Sequence, residues 1–575
     1  MRLTIGDYLI YRLRELGIDR VIGVPGDYNL QFLEQLEAAE GCEFVGATNE
    51  LNAAYAADGY ARQKGMGALL TTYGVGELSA LNGVAGAAAE HVPVVHIVGA
   101  PPLFASRERW LVHHTLADGD FDNTAAAAGA FVAATARLTP ENAVTEIDRV
   151  LRVAMTQSRP VYLQLPANIS YLPAQCGPKI APLAPPPAPE CTLPGLLDNV
   201  ERLYQKATRP VMLVDLDAAR RGLAPQLEQL VQTLGIPYVQ LVTGKAILSE
   251  SAPGFLGTYN GALSAPAVKK AVEEADWLLT FAPRFIEGNS GQYTHKLPPG
   301  TISIGYGTVR VGAEDGTGGG VYEGVDAAAF LQGLCSRLRP RPRPEAPARG
   351  AAQPPALDPD EPLSQEGLWP QLAAFVQEGD TVICEMGTAN LGMGPQALPD
   401  KVTWMASSIW GSIGFTLPCL FGSLLAAPER RHVLCIGDGS FQLTATELSS
   451  IIRHGQQPII FVINNRGYTI ERWILGEKSA YNDIANWRYT DLPRVFAGQE
   501  PAAPGGRELG LATYVASTNG QLHKVLAEIS ASGRGAFVEL RLDPFDAPAA
   551  LRAFGPTVAN FDFGPHGPRN QQLLS

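Results

Sequence analysis

HVLCIGDGSFQLTATELSSIIRHGQQPIIFVINN, residues 432–465, contains two apolar runs of strand length with a helical pattern between them. HVLCI and PIIFVI read as strands, and a helix includes 443–452. This is a βαβ unit, so its strands are parallel neighbours. Gly437-Asp438-Gly439-Ser440 and Asn464-Asn465 then follow their carboxyl ends, where open α/β sheets bind ligands. Asp438 and Asn465 are 27 residues apart. A carboxylate and an amide oxygen are hard ligands suited to Mg²⁺ or Ca²⁺, and Gly467 can turn a carbonyl toward the same ion. Gly439 lets backbone approach a phosphate, and Ser440 opens a helix whose N-terminus favours anions. GDGS alone is a weak motif; joined to Asn-Asn at βαβ spacing it specifies a metal–diphosphate site.

Outward from this unit, short apolar runs at 21–24, 68–72, 93–98, 161–165, 211–214, 277–281 and 301–304 alternate with helical patterns. The expected class is α/β, with three doubly wound parallel sheets covered on both faces. Proline-dense stretches at 177–195 and 339–363 read as extended linkers. They divide the chain into 1–176, 196–338 and 364–575, each of domain size.

The bulk numbers exclude several classes. Of 575 residues, 46% are hydrophobic and 18% charged, so disorder is not expected. A formal net charge of −13 argues against nucleic acid or an anionic membrane as partner. No apolar run is long enough to span a bilayer, and the N-terminus lacks a signal peptide's apolar stretch. Seven dispersed cysteines without a CxxC pair read as reduced thiols in a cytosol.

The pair GDG…NN, together with ATNELNAAYAADGYAR at 47–62, resembles the thiamine-diphosphate enzymes. The resemblance implies thiamine diphosphate and Mg²⁺ as cofactors, with two cofactor-binding domains flanking a Rossmann-like middle domain. Glu50, at a strand-to-helix turn, becomes the carboxyl group that hydrogen-bonds the pyrimidine N1′ and activates the cofactor; a desolvated carboxyl serves this best. Read alone, Glu50 is a helix-dipole glutamate. In Trp410-Gly411-Ser412-Ile413-Gly414, the Gly411 carbonyl would accept from the pyrimidine amino group, and Ile413 would bend the cofactor, or simply pack in the core. Thr388 joins the cofactor-binding set.

Three further segments resemble the pyruvate, indolepyruvate and branched-chain 2-oxo acid decarboxylases: VPGDYN with Asp27, VHHTLADGDF with His113 and His114, and NNRGYTIERW with Glu471. Read alone, they would be a helix N-cap, a polar loop and a surface charge beside Arg472. The likeness implies non-oxidative release of CO2 and an aldehyde. Glu471 would lie beside the departing carboxylate, with Asp27 and His114 protonating and His113 holding the network. The substrate pocket is expected from Ala389, Asn390, Leu391, Ile470, Phe554 and Val558, with middle-domain help near 285–293. Asn390 stands where pyruvate-specific members carry tryptophan, which implies branched, medium-chain or aryl 2-oxo acids. Self-association as a dimer or tetramer is implied, with sites between subunits. The rival readings are a carboligase making hydroxyketones and a non-catalytic cofactor-binding scaffold.

Overall fold

The computed structural model describes residues 3–177, 179–184, 193–312, 319–342, 356–498 and 510–564. The centres of both expected linkers, 185–192 and 343–355, lie outside the described residues. No helix among the described residues is long and apolar enough to cross a membrane. Cys42, Cys176, Cys335, Cys384, Cys419 and Cys435 are free thiols.

The described strands form three sheets. The first contains β1 Arg20–Gly23, β2 Glu43–Gly46, β3 Gly67–Thr72, β4 Val94–Ala100, β5 Thr135–Arg137 and β6 Val161–Pro166, in the order β2-β1-β3-β4-β6-β5. The second contains β7 Pro210–Val214, β8 Tyr238–Gln240, β9 Phe255–Thr258, β10 Trp277–Phe281, β11 Thr301–Ile304, β12 Thr308–Val311 and β13 Gly320–Glu323, in the order β13-β12-β11-β10-β7-β8-β9. The third contains β14 Thr381–Cys384, β15 Thr403–Met405, β16 His432–Gly437, β17 Ile459–Asn464, β18 Ala512–Ala516 and β19 Ala536–Arg541, in the order β15-β14-β16-β17-β19-β18. The first and third sheets share one connectivity and are parallel throughout. The second departs from the all-parallel expectation: β12 and β13 are antiparallel additions at one edge.

Strands buried on both faces explain the unbroken apolar runs; every residue of β3, β4, β6 and β17 is buried. The helix expected at 443–452 is two helices, Asp438–Thr444 and Glu447–Arg453. Between them, Thr446 and Glu447 turn to Thr48 of the first sheet's domain, whose hydroxyl meets the Glu447 carboxylate at 2.8 Å. This tertiary contact interrupts the continuous helix that periodicity suggests.

The first and third sheets' domains share one apolar core, running from Ile5 to Phe537. Its seam is a close crossing of helices Glu50–Lys64 and Thr416–Ala426. A Cβ at Gly59 would stand 2.1 Å from the Cys419 carbonyl oxygen, and one at Gly422 would stand 1.8 Å from that of Ala56. Only glycine permits that approach.

Candidate active site

Strands β16 and β17 pair in parallel, with Gly437 opposite Ile463, so Asp438 and Asn465 emerge side by side. Alternation divides the Asn-Asn pair. Asn464 donates inward to Glu539 at 2.6 Å and Asn486 at 3.0 Å, while the Asn465 carboxamide lies against Asp438. One end of that carboxamide is 3.2 Å from Asp438 Oδ1 and 2.9 Å from the Gly467 carbonyl oxygen; the other is 2.9 Å from Thr469 Oγ1. With nitrogen inward, it donates to both oxygens. With oxygen inward, three oxygens converge and a cation must hold them. Oxygens about 3 Å apart match an octahedral edge at the ~2.1 Å Mg–O distance, so this donor set fits Mg²⁺.

Asp438 is 1% exposed, and burial pushes its carboxyl up to about 7 against backbone N–H donors including Gly439 and Gly467. The Gly439 N–H donates to it at 2.8 Å and that of Gly467 at 3.3 Å. A divalent cation there favours the carboxylate again. Above the strand ends lies room for a larger group: a Cβ at Gly387, Gly411 or Gly437 would meet no atom within 4 Å. Thr388, Gly439 and Ser440 are buried at this floor. Ile413 is 36% exposed, which removes its core-packing reading. Gly411, with φ of +69°, and Trp410 are exposed beside it.

The loop bearing these residues is tied to the first domain. Ile409 N–H donates to Glu90 at 2.8 Å, Arg62 donates to the Ala406 carbonyl at 2.8 Å, and the Trp410 indole donates to Asn82 at 2.9 Å. Arg62 and Asn82 are lone polar residues on helices and Glu90 caps the C-terminus of the helix Val75–Ala89, so none stands out in the sequence.

The first sheet gathers a second group at the carboxyl ends of β1 to β3. Asp27 begins a 3₁₀ turn after β1; Gly26 is its N-cap, so the capping reading of Asp27 does not hold. Asn29 pins the turn, accepting from Gly26 N–H at 3.0 Å and donating to the Val24 carbonyl at 3.1 Å. Asp27 Oδ2 lies 2.8 Å from His113 Nε2, and ligand-capable atoms of Asp27, His113 and His114 all lie within 4.8 Å of one another. Tyr28 stacks on His113 at 4.9 Å between centroids, and its hydroxyl meets Nδ1 at 3.3 Å. His114 adopts φ of +62° with its carbonyl against Gly74. Glu50 opens its helix, half-buried, with Oε1 3.2 Å from where a Gly76 Cβ would stand.

Glu471, on the helix Thr469–Ile474, faces solvent on one side. Restricted hydration, then Asp562 on the C-terminal helix, raises its carboxyl above the ordinary range. Arg472 turns away to Asp483 at 2.6 Å. Among the described residues, no hydrogen bond or ion pair links Asp27, Glu50, His113 or His114 to Asp438, Asn465 or Glu471. Within one chain no such bond joins the two groups.

Of the expected pocket residues, Asn390, Leu391 and Phe554 line one cavity with Val242, Thr258, Asn260 and Gly288 of the middle domain. Gly288 falls within the expected 285–293 stretch; Ala389, Ile470 and Val558 are not in this wall. Ala389 is buried, and Ile470 and Val558 are half-buried.

A buried acid absent from the sequence reading supports the third-sheet group. Glu385 follows β14 and is fully buried. It accepts from Gly414 N–H at 3.1 Å, Thr416 N–H at 3.3 Å, Thr416 Oγ1 at 2.7 Å and Met386 N–H at 3.0 Å. It thus holds the backbone directly after Ile413. Burial outweighs these donors and pushes its carboxyl from 4.5 up to about 7. The folded chain binds this proton more tightly than the unfolded one. The resulting stability is complete below pH 4.5 and is lost as pH rises through 7. Relative to Glu385→Gln, the wild type is expected to lose about 3 kcal/mol between those pH values. Urea unfolding of both proteins across the range measures this; a pH-independent difference contradicts the raised carboxyl.

Three family models match consecutive parts of the chain. They are the N-terminal thiamine pyrophosphate (TPP) binding domain of thiamine pyrophosphate enzymes at residues 3–125, the central domain at 197–325, and the C-terminal TPP binding domain at 385–540. An alpha-keto-acid decarboxylase of Mycobacterium ulcerans (strain Agy99) is 43% identical over 501 residues, covering 85% of this chain and 86% of the relative. One of Mycobacterium tuberculosis (strain ATCC 25618 / H37Rv) is 40% identical over 568 residues, covering 95% and 96%. Among solved structures, Rhodococcus jostii RHA1 thiamine diphosphate-dependent 4-hydroxybenzoylformate decarboxylase superposes with a TM-score of 0.74 at 19% identity, covering 94% of this chain and 99% of that one. That last likeness concerns the fold.

Proposed function

We propose, from the premise that the chain belongs to the thiamine pyrophosphate enzyme family, that it releases CO2 from 2-oxo acids with branched, medium-chain or aryl side chains, at sites each built from two copies of the chain. The decarboxylase class itself is plain: this is a thiamine-diphosphate-dependent 2-oxo acid decarboxylase. The observation that carries the finer reading is the convergence of Asp27, His113 and His114 within 4.8 Å. Such a group can protonate the carbon that has lost CO2, the step that makes an aldehyde, whereas ligation joins that carbon to a second carbonyl.

Bound thiamine diphosphate supplies a nucleophilic carbon and an electron sink for the scissile bond. The chain's residues do the rest. Asp438, Asn465 and the Gly467 carbonyl would hold Mg²⁺, and Gly439 and Ser440 would receive the diphosphate. Glu50 would hold a proton toward the pyrimidine N1′, the Gly411 carbonyl would accept from the pyrimidine amine, and Ile413 would pack against the cofactor. Glu471, with its raised carboxyl, sits beside the departing carboxylate and passes a proton. Asp27 and His114 complete protonation, and His113, paired to Asp27, orients them; positioned acid–base groups contribute about 10²–10⁴-fold.

Two copies per site is supported by exposure. Trp110, Leu111 and Leu116 stand open beside the histidines, and Trp410, Ile413 and Leu443 beside the metal group. Large apolar side chains clustered around a polar site are what a second subunit covers.

Steady-state CO2 release with Mg²⁺ and thiamine diphosphate tests the reading. For 4-methyl-2-oxopentanoate, 2-oxooctanoate and phenylpyruvate, kcat/KM is expected to exceed that for pyruvate by about tenfold or more, since each buried methylene adds ~0.8 kcal/mol. A preference for pyruvate overturns the open pocket. Hydroxyketone as main product makes the enzyme a carboligase.

A further inference from the structure

The cavity between the helix Thr388–Met393, the C-terminal helix Ala549–Phe563 and the middle domain has a volume of about 250 Å³. Val242, Leu263, Leu391, Pro395 and Phe554 make most of its wall apolar. Asn390, Asn260 and Thr258 are the polar side chains in the wall. Asn390 is 3% exposed, and its Nδ2 has no hydrogen-bond partner. Its backbone is already satisfied: its N–H donates to the Glu385 carbonyl at 3.0 Å, and its carbonyl accepts from Gly394 at 2.8 Å. Nearby Asn260 is occupied, its side-chain oxygen accepting from Gly291 N–H at 2.6 Å. The fold therefore leaves the Asn390 Nδ2 donor without a partner. Buried polar groups are almost always paired, because an unpaired one carries its full desolvation penalty.

We infer that the Asn390 carboxamide recognises a hydrogen-bonding atom on the substrate itself, so that the preferred 2-oxo acids end an otherwise apolar side chain in a hydroxyl group. This rests on the proposal that the cavity receives the side chain of a 2-oxo acid. A carboxamide offers both donor and acceptor, and a hydroxyl answers either end, whichever way the amide is turned. The apolar wall holds the hydrocarbon stem. An all-apolar pocket separates substrates weakly, whereas one with a polar group awaiting its partner rejects the ligand that leaves it unpaired.

The test compares two matched pairs, 4-hydroxyphenylpyruvate with phenylpyruvate and 6-hydroxy-2-oxohexanoate with 2-oxoheptanoate, on wild type and Asn390→Leu. In the wild type, kcat/KM is expected to favour the hydroxylated member of at least one pair by about tenfold, and Asn390→Leu to abolish or reverse that ratio. The Tm of Asn390→Leu should stay level or rise, because the variant removes an unpaired buried amide; a structural asparagine would give a fall. Ratios in both pairs unchanged within about twofold on substitution would overturn the inference. If wild type releases CO2 from none of the four acids, the reading beneath it fails as well. Asn390→Ala, scored on the same ratios, replaces the leucine variant should that one misfold.

Discussion

Glu50→Gln is expected to lower kcat for CO2 release by about two to four orders of magnitude while leaving the fold intact. The two roles open to this residue separate cleanly here. As a charge at a helix N-terminus, Glu50 contributes about 0.3–1 kcal/mol of stability, and glutamine would lose that and nothing else. The capping work is done next door, where the Asn49 side chain accepts from Asn52 N–H at 2.8 Å. Glu50 itself makes no hydrogen bond or ion pair among the described residues. A half-buried carboxylate over the glycine-lined end of β3, with no partner in its own chain, is positioned for something outside that chain. Parallel measurement of Tm and kcat decides the matter. A small fall in Tm with unchanged turnover returns Glu50 to the helix dipole and removes the cofactor-activating role.

The legible parts of this molecule share a local cause. Asp438 and Asn465 announce themselves because a βαβ unit forces its strand ends together, whatever the surrounding fold. The run at 277–281 matches β10 in full because a strand buried on both faces is written as a near-continuous apolar run, and 301–304 matches β11, which buries only alternate residues. The antiparallel strands at the margin of the second sheet lack that imprint: β12 mixes half-buried, buried and exposed positions, and three of the four residues of the edge strand β13 are exposed, so neither stood out. The remaining gaps are tertiary. Glu385 is a single acid after an apolar run, and its four donors come mostly from residues about thirty positions away. Asn390 meets Val242 and Asn260 only because the middle domain folds back over the third sheet, and no spacing in the chain encodes that meeting. The interrupted helix after Asp438 has the same origin, since it breaks where Thr48 binds.

The proposed assembly of each site from two copies of the chain yields the second large effect. Asp438→Asn removes the buried carboxylate from the proposed Mg²⁺ site, and alone it is expected to reduce activity at least as severely as Glu50→Gln. Mixed with Glu50→Gln and allowed to exchange subunits, the two inactive proteins should recover activity. In a dimer holding one copy of each, one site draws both altered residues and the other draws neither. Random pairing of equal amounts therefore restores about a quarter of the wild-type sites, since a two-fold interface builds each site from reciprocal surfaces. The outcome is sensitive to geometry alone. Were Glu50 to serve Asp438 of its own chain, every site in the mixture would carry one defect, and mixing would restore nothing. The exposed rims around both groups, with Leu116 76% open on one side and Leu443 55% on the other, favour recovery. In the proposed dimer, burying them would remove water from around Glu471 and the Asp27–His113 pair.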